Sequence, residues 1–172
     1  MDVSQIPIIT VSYNSPDLID ILLTSLRPFY ANRVYVIDGS APDIVPEIAA
    51  ITNKFANVEL IPFHYNIHHG PGMAWAIRNL GLSGPALFLD SDVEVLHAGM
   101  LEDLANRLEH HLYGVGWITH PALIGADSPE NRVPYLSPLC MLCNVDVMRQ
   151  WPLPIKHGAP MITPMIALAE SG

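Results

Sequence analysis

At 172 residues, half of them hydrophobic and 15% charged, the chain is long enough for one globular domain and too apolar to be disordered. Eight Lys and Arg against 17 Asp and Glu leave a formal charge of −9, a field that opposes nucleic-acid backbones and anionic membrane surfaces. No uninterrupted apolar run approaches the ~20 residues of a membrane helix, and Asp2 stands where a secretory signal carries its basic start.

Ile6 to Tyr13 is β-branched and apolar and predicts a buried strand, with Pro7 near its start, where a missing N–H is tolerated. Asn14-Ser15-Pro16-Asp17 predicts a turn and a helix start, Ser15 capping and Pro16 in the first helical position. Leu18, Ile19, Leu22, Leu23 and Leu26 make one helical face, which Arg27-Pro28 ends. Val34 to Ile37 is a second strand, ending in Asp38-Gly39-Ser40. Ser40 and Pro42 reopen a helix whose face is Ile44, Ile48, Ile51 and Phe55, and Val58 to Pro62 is a third strand. Asn66 to Gly72 is a loop with two glycines and a proline, followed by a short helix from Met73 to Leu80.

Gly81 and Gly84 break the chain before Ala86-Leu87-Phe88-Leu89, an apolar run that predicts a strand buried on both faces. It stops at Asp90-Ser91-Asp92. In an extended chain side chains alternate with period two, so both carboxylates point the same way. Such a pair can hold a hard divalent cation that neutralises a diphosphate; taken alone, it can equally end a strand and open a solvated turn. Leu101, Leu104, Ala105, Leu108 and Leu112 then form a helical face, with Glu102, Asp103, Arg107 and Glu109 in solvent. Over the first two-thirds strands and helices alternate, the pattern of a mostly parallel α/β sheet with helices on both faces.

The last third is less regular. Gly114 to Ile118 reads as a strand, Ala126 to Pro134 as a loop, and Leu136 to Val147 as strand or helix. Met161 to Glu170 reads as a helix, after which the chain stops at Ser171-Gly172, a natural end or a truncation. Cys140 and Cys143 have the spacing of half a zinc site or of a redox motif. Their place in the apolar run from Leu139 to Val145 points instead to reduced core thiols and a cytoplasmic protein.

Three strand ends thus carry polar groups on one edge of the expected sheet: Ser12-Tyr13-Asn14, Asp38-Gly39-Ser40 and Asp90-Ser91-Asp92. In an open α/β sheet that edge is the ligand site. The loop from Asn66 to Gly72 brings a helix N-terminus to it, where backbone N–H groups can meet an anion.

These strand ends, with Asn66-x-x-x-Gly70-Pro71-Gly72-x-Ala74-x-Ala76-x-Arg78-Asn79 and Leu87-Phe88-Leu89-Asp90-Ser91-Asp92, resemble in order and spacing a family 2 glycosyltransferase of the GT-A fold, over roughly residues 6–112. The resemblance implies a nucleotide-sugar donor and transfer of the sugar to an acceptor hydroxyl on an unknown glycan, lipid or small molecule, with inversion. It implies that Asp38 holds the donor base, that Ser12, Tyr13 and Asn14 line the nucleoside pocket, and that Gly70, Arg78 and Ser91 lie on the donor. It implies that Asp90 and Asp92 hold ribose and a divalent metal, manganese or magnesium. Residues 1–112 are then the nucleotide-sugar-binding half and residues 113–172 the acceptor side of the same domain.

Inverting members use a carboxylate beyond the Asp-x-Asp as general base. Past Ser137 the chain has only Asp146 and Glu170, and Asp146 reads as part of a structural helix start. Lys156-His157-Gly158 stands where the acidic motif is expected, so His157 is the base, a third metal ligand, or a turn residue without a role. His69 lies beside the expected diphosphate; His110-His111 follows a surface helix and Trp75 reads as packing. Two further functions compete: a nucleotide-sugar-binding module without catalysis, and a nucleotidyltransferase. The second usually carries a Gly-rich loop with a basic residue after its first strand, and Ser12-Tyr13-Asn14-Ser15-Pro16 has neither.

Overall fold

The computed structural model describes residues 1–120 and 133–171. Strands β1 (Ile8–Ser12), β2 (Val34–Asp38), β3 (Val58–Pro62) and β4 (Pro85–Leu89) alternate with helices α1 (Pro16–Leu26), α2 (Val45–Thr52) and α3 (His69–Asn79). Then follow α4 (Met100–Arg107), β5 (Gly114–Thr119), β6 (Tyr135–Asn144), the short α5 (Val145–Met148) and α6 (Ile162–Glu170). The six strands form one sheet in the order β3-β2-β1-β4-β6-β5. β1 pairs in parallel with β2 and β4, and β2 with β3. β6 runs antiparallel between β4 and β5.

The alternation of strand and helix forces this layout, because parallel neighbours need a crossover and each crossover helix must cover the sheet. β2 is buried at all five positions, as an apolar run with no solvent face should be. One face packs Ile8, Val34, Leu87 and Leu142 under Ile19, Leu22 and Leu23 of α1, Ile48 of α2 and Leu101 of α4. The other packs Ile9, Ile37, Phe88 and Met141 under Met73 and Ile77 of α3, Met148 of α5 and Met165 of α6.

Several local expectations change. Ser15 precedes α1 but its side chain makes no capping bond, Pro16 alone marking the start. α3 begins at His69 rather than Met73, because Pro71 falls in its first turn, where its missing N–H leaves no bond unmade. α4 ends at Arg107, short of Leu112. The ambiguous run after Leu136 is strand first and helix second: pairing on both sides holds it as β6, and Asn144 then caps α5 by accepting from the N–H groups of Asp146 and Val147. The last third therefore completes the same sheet as the first two. Of the loop expected over residues 126–134, residues 126–132 lie outside the described ones.

Cys140 and Cys143 are free thiols on opposite faces of β6, each in a different core layer, so they form no joint site. Burial pushes Cys140 up to about 11 and Cys143 higher still. Among the described residues no helix is long and apolar enough to cross a membrane.

Candidate functional site

The chain leaves β1 for β2 and β3 on one side and returns for β4 on the other, so the C-terminal ends of β1 and β4 face a crevice. A hollow of about 330 Å³ opens there. Val11, Ser12 and Tyr13 form one wall, with Ser15 and Leu18 at the start of α1. Asp90, Ser91 and Asp92 face them, Asn66, His68 and His69 enter from the loop before α3, and His157 enters from the last third. Its size suits a small ligand.

Asp90 and Asp92 both reach the hollow, but not for the expected reason. β4 stops at Leu89 and residues 90–92 turn, so their convergence comes from the turn and not from strand alternation. Asp90 is held through its N–H, which donates to Leu139 O on β6 (3.1 Å). Its carboxyl is pushed up to about 6, first by burial and then by the negative charge of Asp92. His69 Nε2 lies 3.2 Å from Asp90 Oδ1. That distance suits an ion pair, yet His69 is shifted down, by burial and then by His157, with Asp92 opposing. Each member of an ion pair favours the charge of the other, and here both shifts run the opposite way. Burial thus disfavours the charge on both groups, and among the described residues no Lys or Arg side chain pairs with Asp90 or Asp92.

Three histidines meet at this rim. The rings of His68 and His157 are 5.1 Å apart. His68 is held at φ +64°, a left-handed conformation costly for a side chain of this size, and its N–H donates to Asn66 Oδ1 (2.9 Å). Among the described residues no three His, Cys, Asp or Glu side chains gather into a metal-holding cluster. The three-ligand set of Asp90, Asp92 and His157 is therefore not assembled. Two carboxylates at an open hollow do suit a hard cation that keeps several waters and takes the rest of its ligands from phosphate.

The N-terminus of α3 is not the free anion site expected of it. Gly70 N–H donates to Lys156 O (3.2 Å), Pro71 has no N–H, and Gly72 N–H returns to His68 O (2.9 Å). A Cβ on Gly70 would lie 2.4 Å from Lys156 O, so only glycine lets the loop carrying His157 dock here. Gly70 thus positions His157 rather than lining the hollow.

Asp38 is also placed otherwise than expected. It is wholly buried, accepting from Ser12 Oγ (2.6 Å) and Ser40 Oγ (2.7 Å), and does not line the hollow. Asn14 sits beside it at φ +50°, its Oδ1 accepting from Ala41 N–H (2.9 Å), and likewise faces away. Arg78 is exposed near the far end of α3, nine residues or about 13 Å along the axis from His69, and is not brought to the hollow. Ser12, Tyr13, Asp90, Ser91, Asp92 and His157 are brought together there. Asp146 is remote, its carboxylate accepting from Gly84 N–H (2.8 Å) and Arg149 (3.0 Å). Trp75 packs edge-on to Phe63. Asn66 and His68 line the hollow although neither was expected to be a site residue; the signal was their place just before the first helical residue of α3.

No protein-family model matches the chain, and no curated protein matches it by sequence. Solved structures do. A structure of residues 1–349 of TarS from S. aureus is 21% identical, with a TM-score of 0.64 over 95% of this chain and 55% of the other. The same TarS segment in complex with UDP-GlcNAc is 19% identical, with a TM-score of 0.60 over 93% and 52%. The galactosyltransferase LgtC, in complex with donor and acceptor sugar analogs, is 15% identical, with a TM-score of 0.57 over 86% and 60%. The chain spans between half and two thirds of the length of these three structures. At such identities the likeness is one of fold, and the chain has the mixed α/β fold of the GT-A glycosyltransferases.

Proposed function

We propose that this chain is the donor-binding core of a family 2 glycosyltransferase, moving a sugar from a nucleoside-diphosphate-sugar to an acceptor hydroxyl with inversion. The observation that carries the reading is the hollow between the ends of β1 and β4, with Tyr13 on one wall and the pair Asp90 and Asp92, without a Lys or Arg partner among the described residues, on the other. The fold is shared with a galactosyltransferase and with a protein whose structure contains UDP-GlcNAc, which supports a nucleotide-sugar as ligand.

Asp90 and Asp92 would hold a divalent cation, manganese or magnesium. Bound there, it would offset the charge that develops on the departing nucleoside diphosphate. The chain's own groups do the rest. Tyr13, half exposed, offers a ring face to the donor. His157 is exposed at the rim, where a ring nitrogen would take the acceptor's proton. The Asp90 carboxyl, already destabilised as an anion, gains most from a cation.

Calorimetry with UDP, GDP and ADP, with and without manganese, tests this reading. Metal-dependent binding of at least one is expected, and Asp92→Ala should weaken it by about 100-fold or more while the fold persists. Absence of binding in manganese would sink the proposal. A second reading, a donor-binding module without catalysis, is favoured by one observation: Asp90 and Asp92 are the only carboxylates that line the hollow among the described residues. Sugar transfer or donor hydrolysis that vanishes in Asp92→Ala would exclude it.

A further inference from the structure

We infer that His68 is a donor-contact residue: its imidazole meets the terminal phosphate of the nucleoside diphosphate. The inference rests on the reading of the hollow as a donor site.

His68 stands at φ 64° and ψ 158°, just before the first residue of α3. Glycine visits that region freely, and a side chain reaches it only at a cost. The fold gets little in return. The residue is exposed, so its ring gains no burial. The bond to Asn66 Oδ1 (2.9 Å) is made by the backbone N–H and would survive in a glycine. The ring does not cap α3. Its neighbour is the ring of His157, 5.1 Å away and tilted by 48°, and both open on the hollow. A strained side chain that the fold does not use, on the wall of a ligand-sized hollow, serves a ligand.

Charge and position say which part of the ligand. A nucleoside diphosphate carries more negative charge than one divalent cation offsets. Among the described residues no Lys or Arg lines the hollow, so N–H and O–H donors must meet the phosphate oxygens. Ser12 Oγ already donates to Asp38 (2.6 Å), and His69 is turned to Asp90 (3.2 Å). Tyr13 and Ser15 lie on the wall that the reading gives to the nucleoside. His68 is left on the other side, and an imidazole donates an N–H whether the ring is neutral or charged. His157 stands one ring away. A terminal phosphate resting on His68 therefore sets the sugar beside the group proposed to take the acceptor's proton.

His68→Gly removes both the ring and the strain; His68→Gln keeps a side-chain N–H donor. Without ligand, His68→Gly should melt about 2–4 °C above the parent, because glycine relaxes this backbone. In manganese, calorimetry should show His68→Gly binding UDP, GDP or ADP, whichever the parent binds, about tenfold or more weakly, with the matching monophosphate changed by less than about twofold. His68→Gln should stay within about threefold of the parent for the diphosphate. A lower melting temperature in His68→Gly overturns the inference, since the ring would then serve the fold. Unchanged diphosphate affinity overturns it too, as does an equal loss on the monophosphate, which would mean that His68 acts on the nucleoside. If no nucleoside diphosphate binds the parent, the donor-site reading falls, and inorganic pyrophosphate in manganese judges His68 alone: binding that weakens about tenfold in His68→Gly sustains the phosphate contact, and no binding or no change ends it.

Discussion

Asp38 and Asp90 look alike in sequence: each follows four apolar residues at the end of a buried parallel strand. Their surroundings differ. Asp38 has no exposure and its carboxylate meets two hydroxyls and a backbone N–H. Asp90 has a desolvated histidine and a like charge for company, and its carboxyl is pushed up to about 6. A strand-end acid whose needs are met by its own chain is at rest; one desolvated beside a like charge is a candidate binding group.

Substitutions can break or sharpen this contrast. The largest effect is expected from Asp38→Ala. It strands the Ser12 and Ser40 hydroxyls and the Ser40 N–H in a dry site, which should cost about 3 kcal/mol or more in urea unfolding. A loss below about 1 kcal/mol would mean that water replaces the carboxylate easily. Gly70→Ala comes next. Its Cβ overlaps the Lys156 backbone, so the loop that carries His157 must move, at about 1–3 kcal/mol, and tryptic cleavage after Lys156 should quicken.

Asp90→Asn should act in the opposite direction. The folded carboxyl titrates near 6 and the unfolded one near its ordinary value of 3.8, so between these the folded state holds more protons. Stability then falls as pH rises through that window, and the penalty is complete above it. In a chelator at pH 7.5, Asp90→Asn should be more stable than the parent by about 1–2 kcal/mol, a figure reduced because a quarter of the side chain meets solvent. The difference should vanish near pH 3.5. A destabilised variant at pH 7.5 would refute the contrast from this side. The smallest effect belongs to Arg78→Ala, which should alter nucleotide affinity by less than about twofold, since Arg78 lies away from the hollow.

The parallel part of the fold was legible from residues 6–112, because buried strands and amphipathic helices leave distinct periods. The gathering of Asp90, Asp92 and Tyr13 at one hollow was legible for the same reason: they sit where apolar runs stop. The burial of Asp38 was not, since nothing local to Asp38-Gly39-Ser40 reveals that Ser12, on another strand, donates to it. Arg78 failed because spacing from Gly70 says nothing of how far a helix carries a side chain from its start. Lys156 O was invisible as the partner of Gly70, a contact between backbones 86 positions apart in numbering. β6 was ambiguous because a strand paired on both sides has no polar face to mark its period.

One consequence of the sheet order concerns synthesis on the ribosome. β4 is flanked on its outer side by β6, whose residues are translated some fifty positions later. Until Tyr135 to Asn144 leave the exit tunnel, Pro85 to Leu89 is a nascent edge of unpaired apolar backbone, open to any passing strand. A polypeptide released at residue 112 would keep that edge for good, and self-association is its natural fate.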